Sequence, residues 1–219
     1  MSNSYPKLVV FDLDDCTWSP ETCFLSNTPN KNKLKTGPLL DQGTGIIAVH
    51  CGNNYLSVHP GAMKAFQEIY KNEKYPNMRL ALASSASNYG GRGSGCPADI
   101  GFQALEILEI LPGVTIRNVL DNSWKNHENY SNIIKNDFHC LIGNSGILTE
   151  DKSRSHFPLL RKNLNIEYED MLFFDDSNWT NHCKLVSQKC GVVCQRTPNG
   201  CQVEEWEKGL ENWRRKYGR

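Results

Sequence analysis

The chain has no excess charge of either sign, no long apolar run and no closely paired cysteines. Its 219 residues include 24 Lys and Arg against 24 Asp and Glu, so the formal net charge at pH 7 is zero. That balance gives no support to binding of nucleic acid or of an anionic membrane. No apolar stretch approaches the roughly 18 residues that a membrane-spanning helix needs. Residues 1–6 are polar, unlike a secretory signal peptide. We therefore expect a cytoplasmic protein without nucleic-acid or membrane partners.

Cysteine usage points in the same direction. The chain has nine cysteines, an odd number, and they are scattered without any Cys-x-x-Cys pair. This pattern favours reduced thiols that pack as small apolar groups over a disulfide framework or a zinc site. The length suits one domain over residues 1–219, with a sizeable core. The sequence does not determine the oligomeric state, and we expect a monomer.

Two short apolar runs, one near each end of the chain, both finish in aspartates. The first is Val-Val-Phe-Asp-Leu-Asp-Asp at 9–15, and the second is Met-Leu-Phe-Phe-Asp-Asp at 171–176. Such runs suit buried strands of a parallel sheet, where ligands bind at the carboxyl ends of the strands. If the strands are neighbours, several carboxylates converge and need a counter-charge. Oxygen ligands without a converging His or Cys set favour Mg²⁺ over zinc.

Between these runs, strand patterns alternate with helical patterns, which is typical of a parallel α/β sheet. The segment 18–58 is rich in loops, but its short runs 46–50 and 55–58 flank a turn-like stretch and predict a β-hairpin flap over the first strand. We expect a second central strand at 79–83, ending in Ser84 and Ser85, and another strand at 192–194. Helices are predicted at 60–70, 97–111, 152–164, 179–188 and 203–216.

A glycine-rich stretch at 89–97 separates the second strand from the next helix. Its main-chain N–H groups would be able to cradle a phosphate. The spacing, however, lacks the Gly-x-x-x-x-Gly-Lys-Ser/Thr pattern of a phosphate loop, so an irregular loop is the favoured interpretation.

Four segments in order resemble the motifs of the haloacid dehalogenase superfamily. They are Asp-Leu-Asp-Asp-Cys-Thr-Trp at 12–18, Ala-Ser-Ser-Ala-Ser at 83–87, Lys152, and Phe-Asp-Asp-Ser-Asn at 174–178. More narrowly, the chain over about 7–196 is similar to the small, capless magnesium-dependent phosphatases, the acid phosphatase or protein tyrosine phosphatase-like family. The resemblance implies a three-layer Rossmann-like α/β fold with a parallel sheet, a β-hairpin flap and no large cap domain.

The resemblance and the chemistry of phosphate esters together assign roles to the residues. Asp12 is the expected nucleophile, and Asp14 is the expected general acid and base. Mg²⁺ would be held by Asp12, Asp176 and the main-chain carbonyl of Asp14, with Asp175 as a further ligand or as a residue that orients the ligands.

The remaining charge on the phosphate needs its own partners. Ser84, Ser85 and neighbouring N–H groups are expected to bind phosphoryl oxygens, and Lys152 to neutralise the charge that remains. Two other interpretations stay open for these residues: Ser84 would cap the following helix, or Lys152 would be an ordinary solvated lysine with Arg154 or Arg161 as the active cation.

Two positions depart from the family pattern. Cys16 stands where the family has threonine, with Thr17 one place later, so we expect the loop that presents Asp14 to be held differently. Ser85 stands where close relatives have a phosphate-binding arginine, and Arg92 is a candidate substitute.

Two classes of function follow from these observations. The favoured one is a magnesium-dependent phosphomonoesterase that acts on phosphotyrosine, protein-bound sugar phosphates or a small phosphorylated molecule. The alternative is a catalytically impaired phosphate-binding or scaffold protein of the same fold. A dehalogenase or phosphotransferase is less favoured, because the acidic pair at 175 and 176 suggests metal-assisted phosphoryl chemistry.

Overall fold

The computed structural model describes residues 5–218, and their secondary structure alternates strands and helices. The strands are β1 (Leu8–Phe11), β2 (Trp18–Ser19), β3 (Asn30–Pro38), β4 (Thr44–Cys51), β5 (Asn54–Val58), β6 (Arg79–Ser84), β7 (Glu109–Leu111), β8 (Val114–Thr115), β9 (Cys140–Ile142), β10 (Met171–Asp175) and β11 (Val193–Arg196). The α-helices are α1 (Pro60–Lys71), α2 (Pro97–Leu105), α3 (Ile116–Asn122), α4 (Tyr130–Lys135), α5 (His156–Leu164), α6 (His182–Cys190) and α7 (Val203–Tyr217). Short 3-10 helices span Thr22–Phe24 and Tyr168–Asp170.

A five-stranded parallel sheet forms the centre of the fold, in the order β11-β10-β1-β6-β9. The apolar, β-branched sequence of β1 suits its position between two strands, with all four residues buried. Phe11 is in register with Phe174 of β10 on one side and with Leu82 of β6 on the other. The carboxyl ends of three strands therefore lie side by side, as the sequence predicts for a parallel α/β sheet.

Helices cover both faces of this sheet. On one face Phe11 stacks on Phe174 with ring centroids 4.7 Å apart, and Trp206 of α7 packs 5.6 Å from Phe174. On the other face Phe157 of α5 meets Phe173 edge to face at 4.9 Å. Such aromatic pairs contribute about 0.5–1.5 kcal/mol each beyond the burial of their area. Successive residues of β10 thus pack against the helices on opposite faces of the sheet.

No helix among residues 5–218 combines the length and apolar character needed to cross a bilayer.

A second, antiparallel sheet in the order β2-β5-β4-β3 occupies the segment after β1. The predicted hairpin is confirmed, because β4 and β5 pair around a tight turn at 52–53. Strand β3 differs from the loop that the sequence predicts for this stretch. Its residues are mostly exposed and polar, so they lack the apolar alternation that predicts a strand.

The helix predicted at 97–111 is wrong in its second half. The helix α2 ends at Leu105, and Glu109–Leu111 forms β7 instead, paired with β8. Glu109 accepts a hydrogen bond from the N–H of Ile46 at 2.9 Å, so this short strand is tied to β4. Its apolar run is compatible with either structure, and the contact with the second sheet decides between them.

The other predicted helices begin close to their expected starts, with two shifts. The helix predicted from 152 begins at His156, because residues 152–155 form turns, and the one predicted from 179 begins at His182, capped by the Asn181 side chain. The helix predicted at 203–216 is confirmed as α7. Both shifted starts leave the residues that precede them in loops at the carboxyl edge of the sheet.

The loop after β1 is held by Thr17. The Thr17 hydroxyl donates to the main-chain oxygen of Asp12 at 2.5 Å, and its N–H donates to that of Leu13 at 2.8 Å. Cys16 is fully buried, and burial raises the pKa of its thiol well above the usual range. Thr17, and not the residue at position 16, therefore supplies the hydroxyl that anchors this loop.

Replacing Thr17 with Val should lower the free energy of unfolding by about 1–2 kcal/mol, because a buried carbonyl loses its donor. Thr197 is the matched control. It is equally buried, but its hydroxyl makes no hydrogen bond of normal geometry within residues 5–218, although it lies near the Cys16 thiol. Thr197→Val should therefore be neutral or slightly stabilising. Urea denaturation of both variants provides the comparison, and equal losses of stability would contradict this account of Thr17.

Candidate active site

Three aspartates meet where β1 and β10 end. Asp12 follows β1, Asp175 is the last residue of β10, and Asp176 comes next. One carboxylate oxygen from each lies within 4.8 Å of the others. The parallel register of the two strands produces this convergence, and the N–H of Asp12 donates to the carbonyl of Phe174 at 2.9 Å. All three side chains are buried.

Lys152 is the counter-charge inside this cluster. Its ammonium lies 2.7 Å from Asp12 Oδ1 and 2.7 Å from Asp175 Oδ2, and only 1% of the residue is exposed. Burial alone would lower the pKa of Lys152, but the charges of Asp12 and Asp175 outweigh it and the pKa is raised. Lys152 therefore stays protonated at physiological pH.

Arg154 and Arg161, the alternative candidates for the cation of the site, lie outside the carboxylate cluster. Arg154 has a side chain that is 74% exposed and pairs with Asp151, while Arg161 pairs with Glu167 on the surface. The interpretation of Lys152 as a solvated lysine is wrong, because the turns at 152–155 direct it into the carboxylate cluster.

One lysine does not neutralise three neighbouring carboxylates. Burial, followed by repulsion from Asp175 and Asp176, raises the pKa of Asp12 well above its usual range even though Lys152 opposes the rise. Burial and the charge of Asp175 likewise raise the pKa of Asp176. The cluster thus carries excess negative charge from hard oxygen donors, which fits a divalent cation such as Mg²⁺.

The two carboxylates after β10 are oriented by the chain that follows them. Asp175 Oδ1 accepts from the N–H of Ser177 at 2.8 Å and from its hydroxyl at 2.9 Å. Asp176 Oδ2 accepts from the N–H of Asn178 at 2.9 Å. Asp175 is thereby engaged by Ser177 and Lys152 together, whereas Asp176 faces the cavity beside Asp12.

Asp14 borders the same cavity but its carboxylate is not part of the three-oxygen cluster. Its two oxygens accept hydrogen bonds from the Trp18 indole at 2.9 Å and the Thr22 hydroxyl at 2.7 Å. Burial raises the pKa of Asp14, although these donors oppose the rise. The second sheet and the turn beyond it therefore fix the orientation of this side chain.

The cavity over the carboxylates has a volume of about 490 Å³. Ser84 and Ser85, both predicted as phosphate ligands, line it together with Ser87. The Ser84 hydroxyl accepts a weak bond from the N–H of Ala86 at 3.3 Å, so it retains its donor for a ligand. The Ser84 carbonyl is bound by His156 Nε2 at 3.0 Å, and burial lowers the pKa of that histidine to about 3, which keeps it neutral.

Sequence reasoning missed the residues at the cavity mouth. Glu21 and Trp179 come from opposite sides of the site, and the Trp179 indole donates to Glu21 Oε1 at 2.5 Å. The Trp179 residue is 77% exposed. His182 also lines the cavity, and burial lowers its pKa to about 4. No local motif marks Glu21 or His182, whereas a tryptophan three residues after the Asp175–Asp176 pair is a signal that the sequence does carry.

Arg92 does not replace the missing arginine. It pairs with Asp137 at 2.9 Å and lies over the Phe102 ring, outside the residues that line the cavity. The glycine-rich stretch is likewise occupied by the protein itself, since the N–H groups of Gly93 and Gly95 donate to the carboxylate of Asp99. Burial would raise the pKa of Asp99, but these donors outweigh it and the pKa is lowered.

Comparison with known proteins agrees with this geometry. The family model described as Acid Phosphatase matches residues 4–216, nearly the whole chain. No curated protein matches the chain significantly. The match supports phosphatase activity, and the buried acidic cluster is consistent with a divalent metal. The chain belongs to the acid phosphatase family, whose members are haloacid dehalogenase-like, magnesium-dependent phosphatases.

Proposed function

We propose that the protein is a magnesium-dependent phosphomonoesterase that works through an aspartyl-phosphate intermediate. The observation that carries the proposal is the buried cluster of Asp12, Asp175 and Asp176 around Lys152, at the base of an open cavity. Phosphate monoesters resist attack by anions, so the site must neutralise charge and fix geometry. This cluster supplies a positioned carboxylate together with a fixed cation.

Asp12 is the proposed nucleophile. Lys152 binds its Oδ1 atom, which leaves Oδ2 available for in-line attack on phosphorus. A bond forms between Oδ2 and phosphorus while the bond from phosphorus to the leaving oxygen breaks. Lys152 then faces the phosphoryl oxygens as a fixed positive charge, and the Ser84 hydroxyl donates to one of them. Water hydrolyses the aspartyl-phosphate in the second half of the reaction.

Asp14 is the proposed general acid and base. Its raised pKa favours the protonated form that gives a proton to the leaving oxygen. The resulting carboxylate accepts a proton from the attacking water in the second step. Trp18 and Thr22 hold both of its oxygens, so the group is oriented before substrate binds.

Mg²⁺ would be held by Asp12, Asp176 and the main-chain carbonyl of Asp14, and when bound it would neutralise charge on the nucleophile and the phosphoryl group. Asp175 is already bound by Lys152 and Ser177. Its proposed role is to orient Lys152 and Asp176, with direct ligation as the alternative.

We further propose that residues 1–219 form one domain in which the antiparallel sheet acts as a flap and no large cap covers the site. An open cavity is compatible with bulky substrates such as phosphotyrosine or sugar phosphates attached to proteins. Cytoplasmic location and a monomeric state stay predictions. A catalytically impaired phosphate-binding protein is the alternative, favoured by the lack of any Lys or Arg besides Lys152 among the described residues that line the cavity.

Asp12→Asn should reduce hydrolysis of a generic aryl phosphate by at least about a thousandfold, because the amide is a poor nucleophile. The exposed Asp41→Asn variant provides a control with the same chemical change outside the cavity, and it should retain activity. Circular dichroism should show both variants folded. Turnover by Asp12→Asn would contradict the nucleophile. A native chain that binds vanadate but shows no turnover with Mg²⁺ would favour the impaired protein.

Mg²⁺ should raise the thermal midpoint of the native chain by about 3–5 °C at ten times its dissociation constant, since a ligand of the folded state adds about 1.4 kcal/mol there. Asp176→Asn should lose most of this response without losing stability in the absence of metal, because it removes a carboxylate repelled by Asp175. Asp41→Asn should respond as the native chain does.

The same preparations test activity. EDTA should inhibit the native enzyme, and Mg²⁺ should restore it. A thermal response that persists in Asp176→Asn, or inhibition that Mg²⁺ does not reverse, would contradict the metal assignment.

A further inference from the structure

Strand β3 leaves its ladder for three residues. Asn30 pairs with His50 of β4, and Leu34 pairs with Val49, which directly precedes His50 in the chain. Residues 31–33 therefore have no partners in the sheet. An Asx turn begins this irregularity, since the N–H of Asn32 donates to Asn30 Oδ1 at 2.9 Å. The sequence of the unpaired stretch is Lys-Asn-Lys. A bulge of this size directs its side chains away from the regular strand.

The bulge forms one wall of a second cavity, separate from the active site and about 510 Å³ in volume. Lys31, Lys33 and His50 line it with Asn27 and Thr28. Neither lysine makes an ion pair within residues 5–218 under a 4 Å limit, although the chain has as many acidic as basic residues. The cavity is thus polar, and its charge is positive and uncompensated.

Lys35 provides a comparison, because it is a lysine of the same edge strand at a position that pairs regularly with β4. It pairs in the ladder with Ala48, and its ammonium lies over the Tyr55 ring at 3.7 Å. Lysines often protect exposed strand edges in this way. Protection of the edge does not account for Lys31 and Lys33, which lie off the ladder and face a concave surface shared with the β4–β5 hairpin.

The second cavity lies close to the active site along two paths. Cys23 lines the active-site cavity and Asn27 lines the second one, so their Cα atoms are at most about 14 Å apart. Thr28 also lies beside Gly95, where an added Cβ would be 3.9 Å from its methyl group, and Pro97 two residues later lines the active site. An extended peptide covers such a distance in about four residues.

We propose that this second cavity is an exosite for acidic residues of a polypeptide substrate, located about three to six positions from the phosphorylated residue. The inference rests on the proposed phosphatase function and names its substrate class as phosphorylated polypeptides with an acidic flank. Lys31 and Lys33 provide the attraction, and the separation of the cavities sets the spacing. A small phosphate monoester does not reach the exosite and gains nothing from it.

The test compares two phosphotyrosine peptides, one with glutamates three to six residues from the phosphate and one with glutamines there. The native chain should hydrolyse the Glu peptide with a kcat/KM about fivefold higher at low salt, and the preference should fade as salt screens it. Lys31→Gln/Lys33→Gln should abolish the preference. Lys125→Gln/Lys162→Gln, a change of equal charge at exposed lysines outside the cavity, should keep it. Hydrolysis of an aryl phosphate should be the same in all three proteins.

Fluorescence anisotropy with the unphosphorylated Glu peptide gives a readout that needs no turnover, and Lys31→Gln/Lys33→Gln should weaken this binding about fivefold. If the native chain does not hydrolyse an aryl phosphate, the proposed phosphatase function is contradicted. The anisotropy measurement then tests the exosite by itself. A preference unchanged by Lys31→Gln/Lys33→Gln, or lost equally in the control, would overturn the exosite. An oligonucleotide of equal charge that binds as tightly as the Glu peptide would overturn its assignment to polypeptides.

Discussion

Repulsion among three buried carboxylates is the constraint on which this site depends. Asp12, Asp175 and Asp176 converge because parallel strands end together, and Lys152 compensates only part of their charge. A buried charge is tolerated when it is paired with an opposite charge. A cluster with excess negative charge attracts any cation that fits between its oxygens. The raised pKa of Asp12 expresses that unbalanced state. The energetic cost of assembling the cluster in the folded protein is therefore also the source of affinity for a metal and, in the proposed reaction, of charge control at phosphorus.

The sequence predicts the convergence of these carboxylates, because a strand with acidic residues at its end is a local pattern whose position the parallel sheet then determines. In a parallel sheet the register of Phe11 with Phe174 is enough to bring Asp12 beside Asp175, whatever lies between them in the chain. The role of Lys152 does not follow from the sequence, because the sequence does not show that this side chain is buried. Only the turns before α5, which shorten the predicted helix, direct that side chain inward instead of leaving it on a solvated helix face.

The elements that sequence reasoning missed are held by contacts distant along the chain. Strand β7 follows an apolar run that fits a helix equally well, and the bond from Ile46 to Glu109 connects it to a strand some sixty positions earlier. Strand β3 is polar and exposed, so pairing with β4 alone defines it. Glu21 and Trp179 are separated by 158 positions, and no motif connects the two residues. Local pattern therefore predicts the carboxylates at the floor of the cavity, whereas its walls and mouth depend on tertiary pairing.

The antiparallel sheet positions a residue of the proposed chemistry in addition to lying beside the site. Trp18 belongs to β2, and its indole holds one oxygen of Asp14 while Thr22, just beyond that strand, holds the other. Glu21, between them, reaches Trp179 in the loop after β10. The proposed nucleophile is thus positioned by the parallel sheet, and the proposed general acid by the antiparallel one. In the proposed reaction, attack requires a fixed carboxylate, and proton transfer requires a group that is protonated when the substrate binds, which the raised pKa of Asp14 favours. The loop between β1 and β2 joins both sheets and carries both Asp12 and Asp14. The hydrogen bond from the Thr17 hydroxyl to the carbonyl of Asp12 therefore helps to hold both residues in place.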